Sequence, residues 1–266
     1  MKLDSELPEI LLPFKENIEA SIQPFVKINA ATSEDGLSFW QSKFSGLPYF
    51  PKDLDYPLDS QGEPMALMAQ LNFAEIPHLP MFPEKGILQF FISSTDGAFG
   101  MNFDDFLNTD NFRVLYFPDV IEDESALLTN FNFLPEMNSV ELPFSDECAL
   151  SFELQTAPMS IVDYQFSSKI LNSDEPYYYD EEIYNAYSEL FASAGHKVGG
   201  YPFFTQADPR EMEQYQNEDY VLLFQMDTDD ENGIMWGDCG VATIFIKKED
   251  LLNKDFSRLL YSWDCC

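Results

Sequence analysis

The chain repeats itself. Lys43-Phe44-Ser45-Gly46-Leu47-Pro48-Tyr49-Phe50 returns 154 residues later as Lys197-Val198-Gly199-Gly200-Tyr201-Pro202-Phe203-Phe204. Residues 66–72 return as 221–227, shifted by 155, and residues 86–92 return as 240–246, shifted by 154. A fourth block matches Asn111-Phe112 and Arg113-Val114-Leu115-Tyr116 with Asp255-Phe256 and Arg258-Leu259-Leu260-Tyr261. Four blocks in one order, three of them at an offset of 154 or 155 and the last at 144 to 145, mark a tandem duplication. The second copy has only about 70 residues, too few for a sizeable core of its own, so the copies are expected to share one. The expected fold is a single α+β domain over residues 1–266, mainly antiparallel β.

Residues 1–36 read as an N-terminal helix and a strand. Leu11, Phe14, Ile18 and Ile22 follow helical spacing, with Pro13 at a candidate start and Pro24 as the stop. Phe25-Val26-Lys27-Ile28 then alternates as a strand does. Repeat 1 spans 37–119, with strands expected at 65–73, 86–93 and 113–117. Repeat 2 spans 194–266, with strands expected at 220–227, 240–246 and 256–263. Pro48 and Pro202 keep both Gly-Pro elements out of regular helix.

Between the copies, residues 120–193 read as an insertion. They hold 15 acidic residues and one base, Lys169. The alternation Ala149-Leu150-Ser151-Phe152-Glu153-Leu154 predicts a strand there, so the segment is folded rather than an acidic tail. Ile183, Tyr187, Leu190 and Phe191 predict a helix at about 178–193, with Gly195 as its stop.

Charge narrows the function classes. With 14 basic and 47 acidic residues, the net charge is −33. Such a surface repels nucleic-acid backbones and anionic membranes, and it suits either plain solubility or a partner of opposite charge, a basic protein or a cation. The apolar runs are strand-length, below the roughly 20 residues of a membrane span. The start of the chain lacks the apolar stretch of a signal peptide, so the cytoplasm is the expected compartment. Cys148, Cys239, Cys265 and Cys266 have no zinc spacing and are expected to be reduced thiols. No cofactor is implied.

Candidate chemistry is sparse. The two histidines are His78 and His196, and neither lies in a nucleophile motif. His196 falls where repeat 1 has Ser42; it reads as a structural histidine, with a general base as the alternative. Gln70 and Gln225 are duplicated amides among apolar residues, where burial demands hydrogen-bond partners. They read as structural ties, with ligand binding as the alternative. Trp236 and Asp238, flanking Gly237, read as pocket lining or as packing. Asp227, Asp229 and Glu231 alternate as in a calcium loop, but Asn232 and Asp238 replace the required Gly and Glu. A solvated hairpin is therefore expected there.

His196-Lys197-Val198-Gly199-Gly200-Tyr201-Pro202, Leu222-Leu223-Phe224-Gln225-Met226-Asp227 and Trp236-Gly237-Asp238-Cys239-Gly240 resemble the signatures of the YwqG-like family. Ser42-Lys43-Phe44-Ser45-Gly46-Leu47-Pro48-Tyr49 and Ala69-Gln70-Leu71 match it too, with Ser45 standing where the pattern has a second glycine. The resemblance covers the chain from about residue 24 onward. That family is a bacterial domain of unknown function, so the resemblance implies a fold and no activity.

Two functional classes stay open. One is a non-catalytic acidic interaction module, an adaptor or immunity-type protein. Its candidate contact residues are Glu122, Asp123, Glu124, Asp180, Glu181 and Glu182, within the acidic insertion. The other is a small-ligand-binding protein or enzyme with a cleft between the repeats.

Overall fold

A computed structural model describes residues 6–33, 36–135, 141–174 and 180–266. Its ten strands form one antiparallel sheet in the order β10-β9-β8-β7-β1-β6-β2-β3-β4-β5. The strands of copy 1 are β1 (Gln23–Thr32), β2 (Lys43–Phe44), β3 (Ala66–Asn72), β4 (Ile87–Ile92) and β5 (Phe112–Phe117). They are followed by β6 (Cys148–Ala157), β7 (Lys197–Gly199), β8 (Tyr220–Asp227), β9 (Val241–Lys247) and β10 (Leu259–Asp264). Exchanging β1–β5 with β6–β10 turns the strand order into its own reverse, as an internal two-fold requires.

The centre of the sheet shows how the copies are joined. β1 pairs with β7 of the second copy, and β6 pairs with β2 of the first. Each copy thus lends a strand to the other. Val26 faces Val198 and Cys148 faces Phe44, so β6, within the acidic segment, plays the part of β1. The two long strands pair along their full length, from Gln23↔Ala157 to Thr32↔Cys148. Separating the copies would open this ladder.

Finer detail repeats as well. The β3–β4 ladder shifts register between Leu67 and Ala69, and the β8–β9 ladder shifts between Leu222 and Phe224. Ser45 has a left-handed backbone with φ 56°, matching Gly199 at φ 70°. A left-handed backbone is thus required at this position in both copies, and in copy 1 it is met by a residue that carries a steric cost. The last block is offset differently from the sequence reading. Ile87 faces Phe117 and Val241 faces Asp264, which equates Phe117 with Asp264 at a shift of 147. Arg113 and Arg258 are therefore not equivalent.

One core serves both copies. Val26, Phe44, Phe90, Val198, Phe224 and Ile244 belong to a single buried cluster, and the Phe90 and Phe224 rings stack at 5.2 Å. The edge strands β5 and β10 meet where Phe112 stacks on Tyr261 at 4.3 Å, so the sheet nearly closes. At the N-terminus, a tight turn of helix at Glu9–Phe14 takes in Pro13 and leads into α1 (Lys15–Ala20), with Leu11 and Ile18 buried. α2 spans Glu181–Leu190 and buries Ile183 and Tyr187; residues 178 and 179 of the expected helix lie outside the described residues. α3 (Lys248–Asn253), between β9 and β10, has no counterpart in the sequence reading. No helix among the described residues is long and apolar enough to cross a membrane.

Candidate functional site

The duplicated amides occupy matching places with matching partners. Gln70 donates from Nε2 to the Phe39 and Gln41 carbonyls, both at 2.7 Å, and accepts the Tyr49 N–H at 2.8 Å. Gln225 donates to the Ser193 and Gly195 carbonyls at 3.3 and 2.7 Å, and accepts the Phe203 N–H at 2.8 Å. The partners differ by the same 154 residues. Both amides are fully buried and tie a strand to the Gly-Pro element.

Beside each amide lies a buried lysine that the sequence reading did not single out. Lys43 pairs with Gln70 across the ladder and Lys197 pairs with Gln225. Lys43 Nζ donates to the Leu47 carbonyl at 3.2 Å and to Glu147 at 2.8 Å. Lys197 Nζ donates to the Ser193 carbonyl and, at 3.3 Å, to that of Tyr201. Burial pushes Lys197 down to about 8, against the pull of Asp227, and burial lowers Lys43 against Glu147. Recurrence at the offset of the repeat was the signal that could have found them.

His196 is buried, with Nδ1 accepting the Asp227 N–H at 3.0 Å and Nε2 lying 3.4 Å from Asp229 Oδ2. That geometry puts the proton of the neutral ring on Nε2. Burial lowers its pKa although Asp229 opposes this. In copy 1 Ser42 Oγ accepts the Asn72 N–H at 2.9 Å, the same bond made by a smaller group.

Asn232, in the acidic turn, docks on β1 rather than projecting into water. Its Oδ1 accepts the Thr32 N–H at 2.9 Å, and its Nδ2 donates to Asp229 Oδ2 at 2.7 Å. No group of three or more metal-ligating side chains occurs among the described residues. Trp236 is fully buried, edge-on to Phe99 and tilted against Trp263, whereas Asp238 is exposed. Glu122, Asp123 and Glu124 are exposed beside Lys52, and Asp180, Glu181 and Glu182 are exposed at the start of α2. Asp123 and Asp180 also cap local N–H groups, of Ser125 at 3.0 Å and Ile183 at 3.1 Å.

Two features lay outside the sequence reading. The first is a buried ion cluster. Arg210 reaches Asp208 through Nε at 2.9 Å and Nη2 at 2.6 Å, and Asp163 through Nη2 at 2.8 Å. Its guanidinium lies over the rings of Phe245 and Tyr164. Burial opposes its charge, but the two carboxylates outweigh burial and raise its pKa. Burial also pushes the Asp163 carboxyl up, against Arg210.

The second feature is a cavity of about 530 Å³ between the copies. Met101, Phe103 and Phe106 of copy 1 line it together with Phe204, Val241 and Trp263 of copy 2. Its floor carries the hydroxyls of Thr243 and Ser262, 3.1 Å apart. The Asp264 carboxylate accepts the N–H groups of Thr205 and Gln206 at its edge. Among the described residues, no histidine, lysine or arginine lines the cavity. It can hold an apolar group and a few hydrogen-bonding atoms.

A family model for a domain of unknown function, DUF1963, matches residues 42–265. The chain belongs to the DUF1963 family. A comparison with curated proteins finds no match. The DUF1963 region begins at the Ser42-Lys43 element and takes in both amide–lysine pairs, the ion cluster and the cavity. β1 lies outside it, although β1 completes the DUF1963 sheet by pairing with β6 and β7.

Proposed function

We propose that the protein is a non-catalytic interaction module of the YwqG-like kind, a cytoplasmic adaptor or immunity-type protein that takes a basic protein partner. The observation that carries this reading is a set of exposed acids without an ion-pair partner, two of which, Asp123 and Asp180, also cap local N–H groups. Buried Asp59, Asp163, Asp208 and Asp227 accept hydrogen bonds that hold loops in place. The exposed Glu122, Asp123, Glu124, Asp180, Glu181 and Glu182 form no ion pair with any described residue. Charge that the fold leaves unpaired on its surface is available to steer an oppositely charged partner. The four free cysteines suit a reducing compartment.

Affinity capture from the source cells, followed by stopped-flow kinetics with the captured partner, tests this. Association should slow steeply with salt, because the screening length shortens to about 8 Å near physiological ionic strength. Replacing the six acids by Asn or Gln should slow it about tenfold at low salt. A partner whose association ignores both salt and the six replacements would end this reading. The cavity between the copies favours a second reading, a small ligand held in the cleft. A thermal-shift screen of metabolites, followed by a ligand-bound structure, would establish that one.

A further inference from the structure

The internal two-fold indicates what the cavity is built to hold. The ladders equate Ile87 with Val241, Gln89 with Thr243, Leu115 with Ser262 and Phe117 with Asp264. In copy 1 the outer face at Ile87 is covered by the chain itself: Leu127 is 4% exposed and packs with Tyr49 and Ile87. An extended stretch holds it there. Leu128 N–H donates to the Phe50 carbonyl at 2.8 Å, Lys52 N–H donates to the Ala126 carbonyl at 3.1 Å, and Pro51 bridges Leu127. In copy 2 the matching edge is 204–206; Asp264 and Cys265 hydrogen-bond its Thr205 and Gln206 and residues 162–174 lie beside Gln206 and Ala207, but no described segment bridges it as Leu127 bridges Pro51. The Phe204 carbonyl accepts no hydrogen bond from the described residues, and the Gln206 N–H is taken by Asp264. The cavity stands where the counterpart of Leu127 would be, floored by Val241, Thr243 and Ser262.

Charge chooses the occupant. The strap of copy 1 is acidic, and Lys52 reaches it through the Ser125 carbonyl. In copy 2 the place of Lys52 is held by Gln206, and exposed Asp104, Asp105 and Glu211 stand at or beside the rim. We propose that this cavity receives an extended peptide segment of the partner protein, with an aliphatic side chain over Val241 and lysine or arginine on either side. One backbone N–H of that segment donates to the Phe204 carbonyl, as Leu128 does to Phe50. This rests on the interaction reading and names the part of the partner that is grasped.

The test uses the full chain and short labelled peptides in fluorescence anisotropy. One peptide has a central leucine flanked by lysines, one has alanine at the centre, and one has glutamates as flanks. Replacing exposed Ala207, at the mouth of the cavity, by Trp fills the entrance without touching the core. The leucine–lysine peptide should bind, and each of the other peptides and the Ala207→Trp variant should weaken binding at least about tenfold, the weight of one buried aliphatic side chain. Equal binding of the alanine peptide, indifference to Ala207→Trp, or no binding at about millimolar peptide would overturn the inference. Concentration-dependent self-association abolished by Ala207→Trp would assign the cavity to a second copy of the chain, and would overturn it too. A captured partner that keeps its salt dependence but ignores Ala207→Trp sinks the cavity proposal alone. Loss of the salt dependence sinks the broader reading.

Discussion

Arg210→Met should unfold at a much lower denaturant concentration than the wild type, with a loss of about 3–5 kcal/mol. The reason is the state in which it leaves its neighbours. Asp163 and Asp208 are 3% and 5% exposed, and Arg210 is their only cationic partner among the described residues. Methionine fills similar space over Phe245 but leaves two carboxylates buried without a counter-charge. That is far costlier than losing an exposed ion pair, which is worth about 0–1 kcal/mol. The melting temperature should fall by roughly 10 °C for a chain of this size. Adding Asp163→Asn and Asp208→Asn to Arg210→Met should recover most of the loss, since amides still accept the Gln165 and Tyr164 N–H bonds without the charge. An Arg210→Met protein as stable as the wild type would show that water reaches these carboxylates.

The second large effect concerns the amides. Gln70→Leu leaves the Tyr49 N–H and the Phe39 and Gln41 carbonyls without a partner, and Gln89 loses one of its two bonds. A buried polar group left unpaired costs about 1–3 kcal/mol, so a total of about 2–4 kcal/mol is expected after partial relaxation. Gln225→Leu breaks fewer bonds, one of them long at 3.3 Å, and should cost about 1–3 kcal/mol. The sites lie in different copies, so the two losses should add in the double variant. Chemical denaturation of the three variants measures this, and a neutral shift in both single variants would contradict the burial of the amides.

What the sequence made legible follows from what repetition and periodicity encode. Lys43–Phe50 and its echo at 197–204 marked the copies, and the spacing within them located the strands. Partner choice between strands was hidden. Nothing in Phe25-Val26-Lys27-Ile28 says that it lies against Lys197-Val198 of the other copy, because exchange between like units preserves every local pattern. Arg210 lies between the Gly-Pro element and β8, where no repeat signal falls, and its burial depends on Asp163, 47 residues away in sequence. The role of Asn232 depends likewise on Thr32, 200 residues away. The two-residue error at β10 arose because Tyr116 and Tyr261 look alike in sequence yet face Leu88 and Ile244, which are not counterparts.

The functional reading turns on acids whose charge the fold does not need, and one measurement addresses that directly. In the variant carrying Glu122→Gln, Asp123→Asn, Glu124→Gln, Asp180→Asn, Glu181→Gln and Glu182→Gln, the two asparagines retain the capping bonds to Ser125 and Ile183. The variant loses the attraction of two glutamates to the start of α2, worth about 0.3–1 kcal/mol each at low salt, and gains relief from the self-repulsion of a chain at −33. These effects oppose each other. Denaturant unfolding at low and at physiological salt should therefore give a stability within about 1 kcal/mol of the wild type at both. A loss of more than about 2 kcal/mol would mean that these carboxylates hold the fold together, and the account of their function would fail.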